Sequence, residues 1–396
     1  MKKVLILIIT VGLFASLIGC SGTNNQNSQA YLSSQRMFIE KTSFGNYADY
    51  VNLAYDSVDM NNINDRNKVL LIESNLEEAR LYGTAQDGNE FYGWYEDNSY
   101  SDLYRFSFID DKTIKKTIWV SREKLLNSCI GSGDNKNRPI TLSNFIVSGD
   151  SVYATMGYDY EWMHSQVAIN GRIVKISKSG DKIELVGDES VRAAELVVRD
   201  GWIYYSDNGY RVEGDSYQYL GTEIGLYKIK TDGSQKTLLR SGTSHPTNDN
   251  YERGTAGDLA LYENYLYFLD LDNESRLCRM KTDGSDYEQI SQTGAFVYTM
   301  DTDTQVFYFQ SGTFGSNVLE DKADKAVYTV SLIDKVEKKL CDVSQKIWQM
   351  SFCDDCLYFY ALSTGSVITC RINPADGKAQ KLERRVSDNT ISWYDL

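Results

Sequence analysis

Proline, histidine and surplus positive charge are scarce in this sequence of 396 residues, which has 3 Pro, 2 His and 41 Lys and Arg against 55 Asp and Glu. The low proline content beside 42% hydrophobic residues argues against a fibrous or disordered chain and indicates a globular protein. The net charge of -14 argues against nucleic acid as a partner, because proteins hold a polyanion with clustered Lys and Arg.

Motifs that mark common enzyme classes are also missing. No glycine-rich phosphate loop follows a strand, no zinc-protease helix motif is present, and no serine elbow joins a strand to a helix. The oxygen-rich run Asp270, Asp272, Asn273 and Glu274 lacks the ligand series and glycine of an EF-hand loop, which favours a solvated hairpin turn over a Ca²⁺ site. The sequence therefore points to no catalytic residue, no metal and no cofactor.

The chain begins with a leader. Met1–Lys3 is basic, and Val4–Ile18 is an apolar run too short to span a bilayer comfortably. The ending Leu17-Ile18-Gly19-Cys20 resembles the bacterial lipobox. That resemblance implies that residues 1–19 are a signal peptide and that Cys20 becomes the lipidated N-terminus. An ordinary secretory signal and an uncleaved anchor are the alternatives.

A flexible tether is predicted to follow the lipid, over residues 20–34. Ser21–Ala30 has no large apolar side chain and therefore nothing to bury. The lipid would hold the protein on the extracytoplasmic face of a bacterial cell membrane. The acidic charge argues against further adhesion to anionic lipids.

Six cysteines follow the leader, in an exported chain where disulfides are chemically permitted. They are too few for a disulfide scaffold, and their pairing stays open: Cys129, Cys278, Cys341, Cys353, Cys356 and Cys370. Cys353 and Cys356 have the spacing of a redox or zinc pair. Their expected place at a β-hairpin turn, away from a helix N-terminus, favours a turn or a local disulfide.

An internal repeat organises the rest of the chain. Leu226–Ser234 (LYKIKTDGS) matches Leu277–Ser285 (LCRMKTDGS), and each copy follows an apolar strand and precedes another short strand. The same order recurs six times between residues 79 and 385, with Asp-Gly and Gly-Asp turns and no helical period after the leader. We therefore predict an all-β fold, a β-propeller of four-stranded antiparallel blades.

The two ends of the chain suggest one more blade. Thr390–Leu396 looks like a first strand, while 37–41, 50–55 and 68–73 have the spacing of strands two, three and four. Pairing of the N- and C-terminal strands would close the ring and protect its open edges. Seven blades are therefore favoured and six are the alternative, within a single propeller domain over residues 35–396.

A strand followed by LYKIKTDGS resembles the YWTD-type propeller of lipoprotein-receptor ectodomains, and more closely a related family of bacterial propeller lipoproteins of unknown function. Tyr204-Tyr205-Ser206-Asp207 stands where the YWTD family has Tyr-Trp-Thr-Asp. The resemblance covers roughly residues 80 to 385 and implies the fold better than a function. Receptor members have six blades, so a count of seven departs from them.

Long connections are expected on one face of the propeller, because loops after second strands share a face with the segments that cross to the next blade. Off-pattern aromatic residues in these loops have the chemistry of a glycan or protein binding site. The candidates are Tyr158, Tyr160, Trp162, Tyr210, Tyr217 and Tyr219. Packing of the loops onto the propeller is the alternative. His164 and His245 are on the same predicted face and are weaker candidates for ligand binding or acid-base chemistry.

The sequence favours a membrane-anchored surface lipoprotein whose propeller is a non-catalytic binding or scaffolding domain for an envelope protein or a glycan. A polysaccharide-active hydrolase or lyase is the alternative, since propellers gather catalytic residues from several blades and local motifs do not reveal them. A sensor or assembly factor beside a membrane complex is a third possibility.

Overall fold

The computed structural model describes a large part of the chain. The described residues are 31–32, 80–87, 90–96, 102–110, 113–129, 140–158, 171–213, 216–219, 223–243, 245–246, 252–253, 255–301, 303–313, 325–343, 345–353, 355–363, 366–385 and 390–395. Cys20, Tyr160, Trp162 and His164 lie outside them.

Within the described residues, six antiparallel units of four strands follow one another, which confirms the predicted all-β fold. The first three, called blades one to three, have these strands: β2 Arg80–Asp87, β3 Glu90–Glu96, β4 Leu103–Asp110 and β5 Thr113–Val120; β6 Ile140–Ser148, β7 Ser151–Tyr158, β8 Gly171–Ser177 and β9 Ile183–Leu185, with β10 Arg192–Ala193 also on β8; β11 Glu195–Arg199, β12 Trp202–Asp207, β15 Gly225–Lys230 and β16 Thr237–Ser241.

Blades four to six have the same order, except that one long strand, β22, serves both blade four and blade five. Their strands are β19 Ala256–Tyr262, β20 Tyr265–Asp270, β21 Arg276–Lys281 and β22 Glu288–Asp301; β22 again, β23 Val306–Ser311, β24 Ala326–Ser331 and β25 Glu337–Asp342; β26 Lys346–Cys353, β27 Cys356–Ser363, β28 Ser366–Asn373 and β29 Lys378–Arg385. Short additional strands are β1 Tyr31–Leu32, β13 Tyr210–Glu213, β14 Ser216–Tyr219, β17 His245–Pro246, β18 Glu252–Arg253 and β30 Thr390–Asp395.

The first strands of successive blades lie side by side, as in a propeller. β2 contacts β6, β6 contacts β11, β11 contacts β19, and β22 contacts β26. Tyr298 of β22 bonds back to β19, where its hydroxyl donates to the carbonyl of Asp258 at 2.6 Å. The blades therefore stack around a common axis, with each first strand innermost.

The apolar core lies between the blades, because side chains alternate across each strand. On β8, Val174 and Ile176 pack into the cluster shared with blade one, whereas Ile173 packs into the cluster shared with blade three. Each fully buried side chain of this size contributes about 1.5–3 kcal/mol. Both faces of a blade are thus covered by its neighbours.

The two ends of each blade differ. At the turn end, short turns join the first strand to the second and the third to the fourth. At the looped end, second strands finish at Tyr158, Asp207, Asp270 and Ser311, and longer segments follow. In the turns between third and fourth strands, Gly180, Gly233, Gly284 and Gly377 have positive φ and touch the preceding blade or the segment leaving it. A Cβ atom at Gly180 would lie 2.2 Å from the carbonyl oxygen of Trp119. The repeated Gly therefore allows close packing of blades as well as the turn.

The expectation that no helix follows the predicted signal peptide was wrong. Helix α1, Arg122–Cys129, lies in the crossing from blade one to blade two. The Ser121 hydroxyl accepts from the Lys124 amide at 3.2 Å, and Leu125 and Leu126 are buried. Eight residues with two adjacent apolar side chains give too short a pattern to stand out in the sequence.

The C-terminal strand forms but pairs differently from the expectation. β30 lies antiparallel to β29, as a fifth strand of the sixth sheet. Its expected partners, residues 37–41, 50–55 and 68–73, lie outside the described residues, so the seventh blade stays a prediction. Within the predicted tether, β1 pairs with the first strand of blade four, Tyr31 opposite Leu261.

The expected hairpin turn at the last cysteine pair is confirmed. Cys353 and Cys356 face each other across the turn between β26 and β27. Cys370 is buried within the last blade, and its thiol pKa is raised to about 12 by burial. The thiols of Cys129, Cys278, Cys341 and Cys370 form no disulfide.

Candidate functional site

Buried polar residues concentrate at the looped end of the blades. Ser206, Asp207 and Asn208 follow one another at the end of the second strand of blade three, and Asp270 ends that of blade four. Gln310 and Ser311 occupy the corresponding place in blade five. Some of these groups bond to the nearby backbone: Asp207 accepts from the Gly209 amide at 2.7 Å, and the Ser311 hydroxyl donates to the Ala326 carbonyl at 3.2 Å.

The predicted aromatic loop of blade three is an ordered ribbon. Strands β13 and β14 pair with Tyr210 opposite Tyr219 and Val212 opposite Tyr217. Alternate positions belong to one face of a two-stranded ribbon, so three candidate tyrosines share a face and Arg211 and Gln218 belong to the other. Sequence reasoning placed these residues in a loop because the strands have only four residues each.

The ribbon lies beside blade two. β13 contacts β7, the strand that ends at Tyr158. Two of the predicted loop regions, from different blades, therefore lie beside each other at the looped end. Tyr160, Trp162 and His164 continue from Tyr158 and stay predictions.

The second predicted histidine is in a separate small hairpin. His245 of β17 is opposite Arg253 of β18, in the crossing from blade three to blade four. Its position at the looped end agrees with the expected face. The catalytic or ligand role of the two histidines remains a prediction.

A buried ion pair joins blades three and four at the looped end. Arg240 donates to the carboxylate of Asp270 at 2.8 Å, and the hydroxyl of Tyr287 donates to the same oxygen at 2.5 Å. The guanidinium also lies 4.6 Å from the centre of the Tyr287 ring. Burial raises the pKa of Asp270 above its ordinary value, against the opposing effect of Tyr287 and Arg240.

The thiol of Cys278 completes this cluster, 3.2 Å from the Tyr287 hydroxyl. Burial raises its pKa to about 11, which keeps the thiol protonated and unreactive at neutral pH. The pKa of Tyr287 is raised as well, by burial and by the neighbouring carboxylate. The cluster is therefore a joint between blades and has no group poised to act as a base.

The side-chain oxygens of the turn after Asp270 likewise accept hydrogen bonds from other residues of the protein. Asp270 accepts from the Asp272 amide, and the Asp272 carboxylate accepts from Thr243 and Thr255. The Asn273 carbonyl accepts from Arg276 at 3.1 Å, and Glu274 pairs with the same guanidinium at 2.5 Å. These oxygens bind protein groups, which is a better account of the turn than a Ca²⁺ site.

Polar side chains also link successive blades, and sequence reasoning missed them. Asn144 donates to the carbonyl of Ala194 in the next blade at 2.7 Å. Glu195 accepts from the Leu259 amide at 3.1 Å. Gln310 accepts from the Ile347 amide at 2.7 Å. A polar residue inside an apolar strand was the available signal, and it does not by itself reveal the partner strand.

The described residues contain neither a metal-binding cluster nor a membrane-spanning helix. No group of three or more His, Cys, Asp or Glu side chains there is arranged to hold a metal ion. Within the same part of the chain, no helix is long and apolar enough to cross a membrane.

Comparison with known proteins gives matches among solved structures only. No family model matches the sequence, and no curated protein matches it significantly. A nidogen/laminin complex matches with a TM-score of 0.41 and 11% identity, over 74% of this chain and 93% of that chain. An oligogalacturonate lyase in complex with manganese matches with a TM-score of 0.42 and 10% identity, over 74% and 77%. A xyloglucanase from Xanthomonas campestris matches with a TM-score of 0.45 and 10% identity, over 78% of this chain and 52% of its own.

Proposed function

We propose that this protein is a surface lipoprotein, anchored to the membrane through Cys20, whose propeller binds an envelope protein or a glycan without transforming it. The observation that carries the proposal is the register of the ribbon at the looped end. It assigns Tyr210, Tyr217 and Tyr219 to one face, next to the strand that ends at Tyr158.

Tyrosine suits such a role for physical reasons. Its ring brings a large contact area with little side-chain entropy to lose, and its hydroxyl tolerates water at the rim of an interface. Rings of this kind stack on the flat faces of sugars and also form the centres of protein interfaces. Binding residues are commonly carried by connecting segments that a rigid scaffold positions.

The binding test uses the full chain purified in mild detergent. We expect it to capture one defined envelope protein or polysaccharide, which is then purified and titrated directly. Changing Tyr217 and Tyr219 together to Ala should weaken that binding at least about tenfold, since two central aromatic residues are lost. Ser216→Ala with Gln218→Ala, on the other face of the same ribbon, is the matched control and should bind normally.

The outcome separates binding from catalysis. Equal loss in both double variants would contradict a binding face on the tyrosine side. Release of altered sugar fragments during the titration would replace the binding proposal with the hydrolase or lyase alternative.

Anchoring has its own test. Cells supplied with a labelled fatty acid should label the wild-type protein and fail to label Cys20→Ala. A labelled, processed Cys20→Ala protein would overturn the lipid anchor and leave the propeller argument untouched.

A further inference from the structure

A short segment after the predicted lipidation site lies along the propeller axis. β1, residues Tyr31–Leu32, pairs with β19, the first strand of blade four, on the edge opposite β20. It also contacts β11, the first strand of blade three. Since the first strands are innermost, β1 lies at the centre of the propeller, beside these two blades.

The register of this pairing gives the direction of the chain. Tyr31 is opposite Leu261 and Leu32 is opposite Ala260, in antiparallel pairing. β19 runs from the looped end to the turn end, because its last residue, Tyr262, leads into the short turn to β20. β1 therefore runs from the turn end towards the looped end, and the chain enters β1 from the side of the turn end.

The predicted lipid is close to this entry point along the chain. Cys20 precedes Tyr31 by 11 residues. A fully extended chain of that length spans at most about 40 Å. To reach the looped end around the outside of a blade, it would cross about 14 Å of strands and then run about 23 Å along the length of a strand such as β19. That path would need almost the whole extended length, so the tether holds the lipid on the side of the turn end.

The turn end also carries an exposed aliphatic tip, in blade five. Ile333 and Val336 lie in the turn between β24 and β25 and are 78% and 44% exposed. The corresponding turns of blades two, three and four consist of polar residues and Gly, over 178–181, 231–234 and 282–285. Turn chemistry alone therefore does not call for these two aliphatic side chains at the surface.

Hydrogen bonds and an ion pair hold the tip in place. The Ser331 hydroxyl accepts from the Ile333 amide at 3.1 Å, and the Ser331 carbonyl accepts from the Lys335 amide at 3.0 Å. Lys335 also forms an ion pair with Glu288 of blade four at 2.8 Å. These contacts fix the turn against the neighbouring blade, so Ile333 and Val336 are presented at the turn end in a defined position.

We propose that the turn end of the propeller faces the membrane, with Ile333 and Val336 against the bilayer surface, and that the looped end faces away from the membrane. The anchor brings the turn end close to the bilayer, where exposed aliphatic side chains gain free energy by leaving water. This contact needs no attraction between charges, which agrees with the acidic composition of the chain. The inference rests on the proposed lipid anchor, and it directs the candidate binding ribbon towards partners outside the membrane.

Energy transfer to the membrane measures the orientation. The full lipidated chain is bound to the outside of phosphatidylcholine vesicles that contain a lipid-linked acceptor, and a donor is attached through p-azidophenylalanine in place of Asn264 or Ser241. Asn264 is exposed at the turn end of blade four, and Ser241 is exposed at the looped end of blade three. The donor at position 264 should transfer at least about twofold more energy, because the length of a strand puts it about 20 Å nearer the acceptor.

Matched charge substitutions test the aliphatic tip. Ile333→Asp places a charge at the proposed contact, whereas Ile118→Asp makes the same change on β5 of blade one, at a residue that is 58% exposed. Ile333→Asp should lower the energy transfer from position 264, because a charged side chain resists removal from water. Ile118→Asp should leave that transfer unchanged. Thermal unfolding checks that both variants fold.

A cross-link tests the pairing of β1. Leu32→Cys with Ala260→Cys puts two thiols on directly opposed residues, whose Cβ separation of about 4.5–5.5 Å suits a disulfide. Leu32→Cys with Ile146→Cys is the control, because Ile146 is opposite Tyr153 in blade two just as Ala260 is opposite Tyr267 in blade four. After oxidation with diamide, peptide mass mapping should find the bond between positions 32 and 260 and none between 32 and 146.

Several results would overturn the inference. Equal transfer from the two donor positions, or stronger transfer from position 241, would contradict the orientation. A missing bond between positions 32 and 260 would contradict the entry of the chain from the turn end, and unchanged transfer in folded Ile333→Asp would contradict the contact at the tip. Failure of the lipid anchor is distinguishable, because neither donor would then transfer energy and Cys20 would carry no fatty-acid label. Failure of the proposed binding function would leave all three measurements as expected.

Discussion

The turn end and the looped end of the blades join the same neighbours by different means. At the turn end, Gly180, Gly284 and Gly377 bring one backbone against another with almost no side chain between them. At the looped end, charged and polar side chains span the gap, as Arg240 and Asp270 do between blades three and four.

This difference has a consequence for function. A backbone contact repeats wherever Gly repeats, so the turn end is alike in blades two, three, four and six, where Gly180, Gly233, Gly284 and Gly377 occupy the same turn. Side-chain contacts at the looped end are particular to each pair of blades and leave the connecting segments long. The ribbon β13–β14 and the paired residues Arg172 and Arg192 are both found at this end. Structural repetition and the candidate binding ribbon are therefore separated along the blade.

The largest effect is expected at the turn end. Gly180→Ala adds a Cβ atom that would lie 2.2 Å from the Trp119 carbonyl oxygen, at a φ of +76°. We expect a loss of about 3 kcal/mol in the free energy of unfolding, from backbone strain and displacement of blade one. Chemical denaturation of the full chain measures it.

Gly201→Ala is the matched control. Its φ is +77°, but a Cβ atom there meets nothing within 4 Å. It should cost only the backbone strain, about 1 kcal/mol. Equal losses in the two variants would show that the glycines serve the turns alone and that the joint between blades lies elsewhere.

The repeated strands and the turns at the turn end could be predicted from the sequence. LYKIKTDGS and LCRMKTDGS give the strand, the turn and the Gly in order, and Asp232 and Asp283 cap their turns by accepting from Ser234 and Ser285, as local chemistry requires. Each of these features depends on neighbours within a few residues. That is why the six units and their turns were predicted correctly.

The looped end could be predicted from the sequence only in part. The tyrosines were candidates because of their residue type. Their common face depends on the pairing register of β13 and β14, and strands of four residues are too short for that register to be predicted from the sequence. The partnership of Arg172 and Arg192 joins residues on either side of an interrupted strand, and the bond from Arg240 to Asp270 crosses between blades. Contacts of this kind follow from the three-dimensional arrangement of blades and not from local periodicity.

A smaller effect is expected from breaking the looped-end joint. Asp270→Asn replaces the oxygen that accepts from both Arg240 and Tyr287 by an NH2 group, which cannot accept either bond, while the Arg240 side chain is 26% exposed and so keeps some access to water. We expect a loss of about 2 kcal/mol in the free energy of unfolding, less than for a fully buried pair. A double-mutant cycle with Arg240→Gln should give a coupling of about 1 kcal/mol or more. Strict additivity would contradict a direct joint.

The smallest expected effect is on the pH dependence of stability. As pH falls, the stability penalty of a substitution at the looped end should grow, whereas that of a substitution at the turn end should shrink. The pKa of Asp270 is raised by burial, so its protonation favours the folded state, and the penalty of Asp270→Asn should grow between neutral pH and the ordinary pKa of 3.8. The pKa of Asp232 is lowered by the bonds from Ser234, so its stabilising effect is present at neutral pH and is lost as pH falls through that lowered pKa. The penalty of Asp232→Asn should therefore shrink on acidification.

Denaturation at pH 7 and at about pH 3, below the ordinary aspartate pKa of 3.8, measures both trends in the same full-length background. Asp283→Asn serves as a second copy of the turn-end change, because Ser285 lowers the pKa of Asp283 in the same way. If the stability penalties of Asp270→Asn and Asp232→Asn changed in the same direction with pH, the pKa values of Asp270 and Asp232 would be shifted in the same direction, which would contradict the difference between the two ends. Opposite trends would establish that the looped end holds its carboxylate at a cost in solvation, whereas the turn end holds its carboxylates by hydrogen bonds alone.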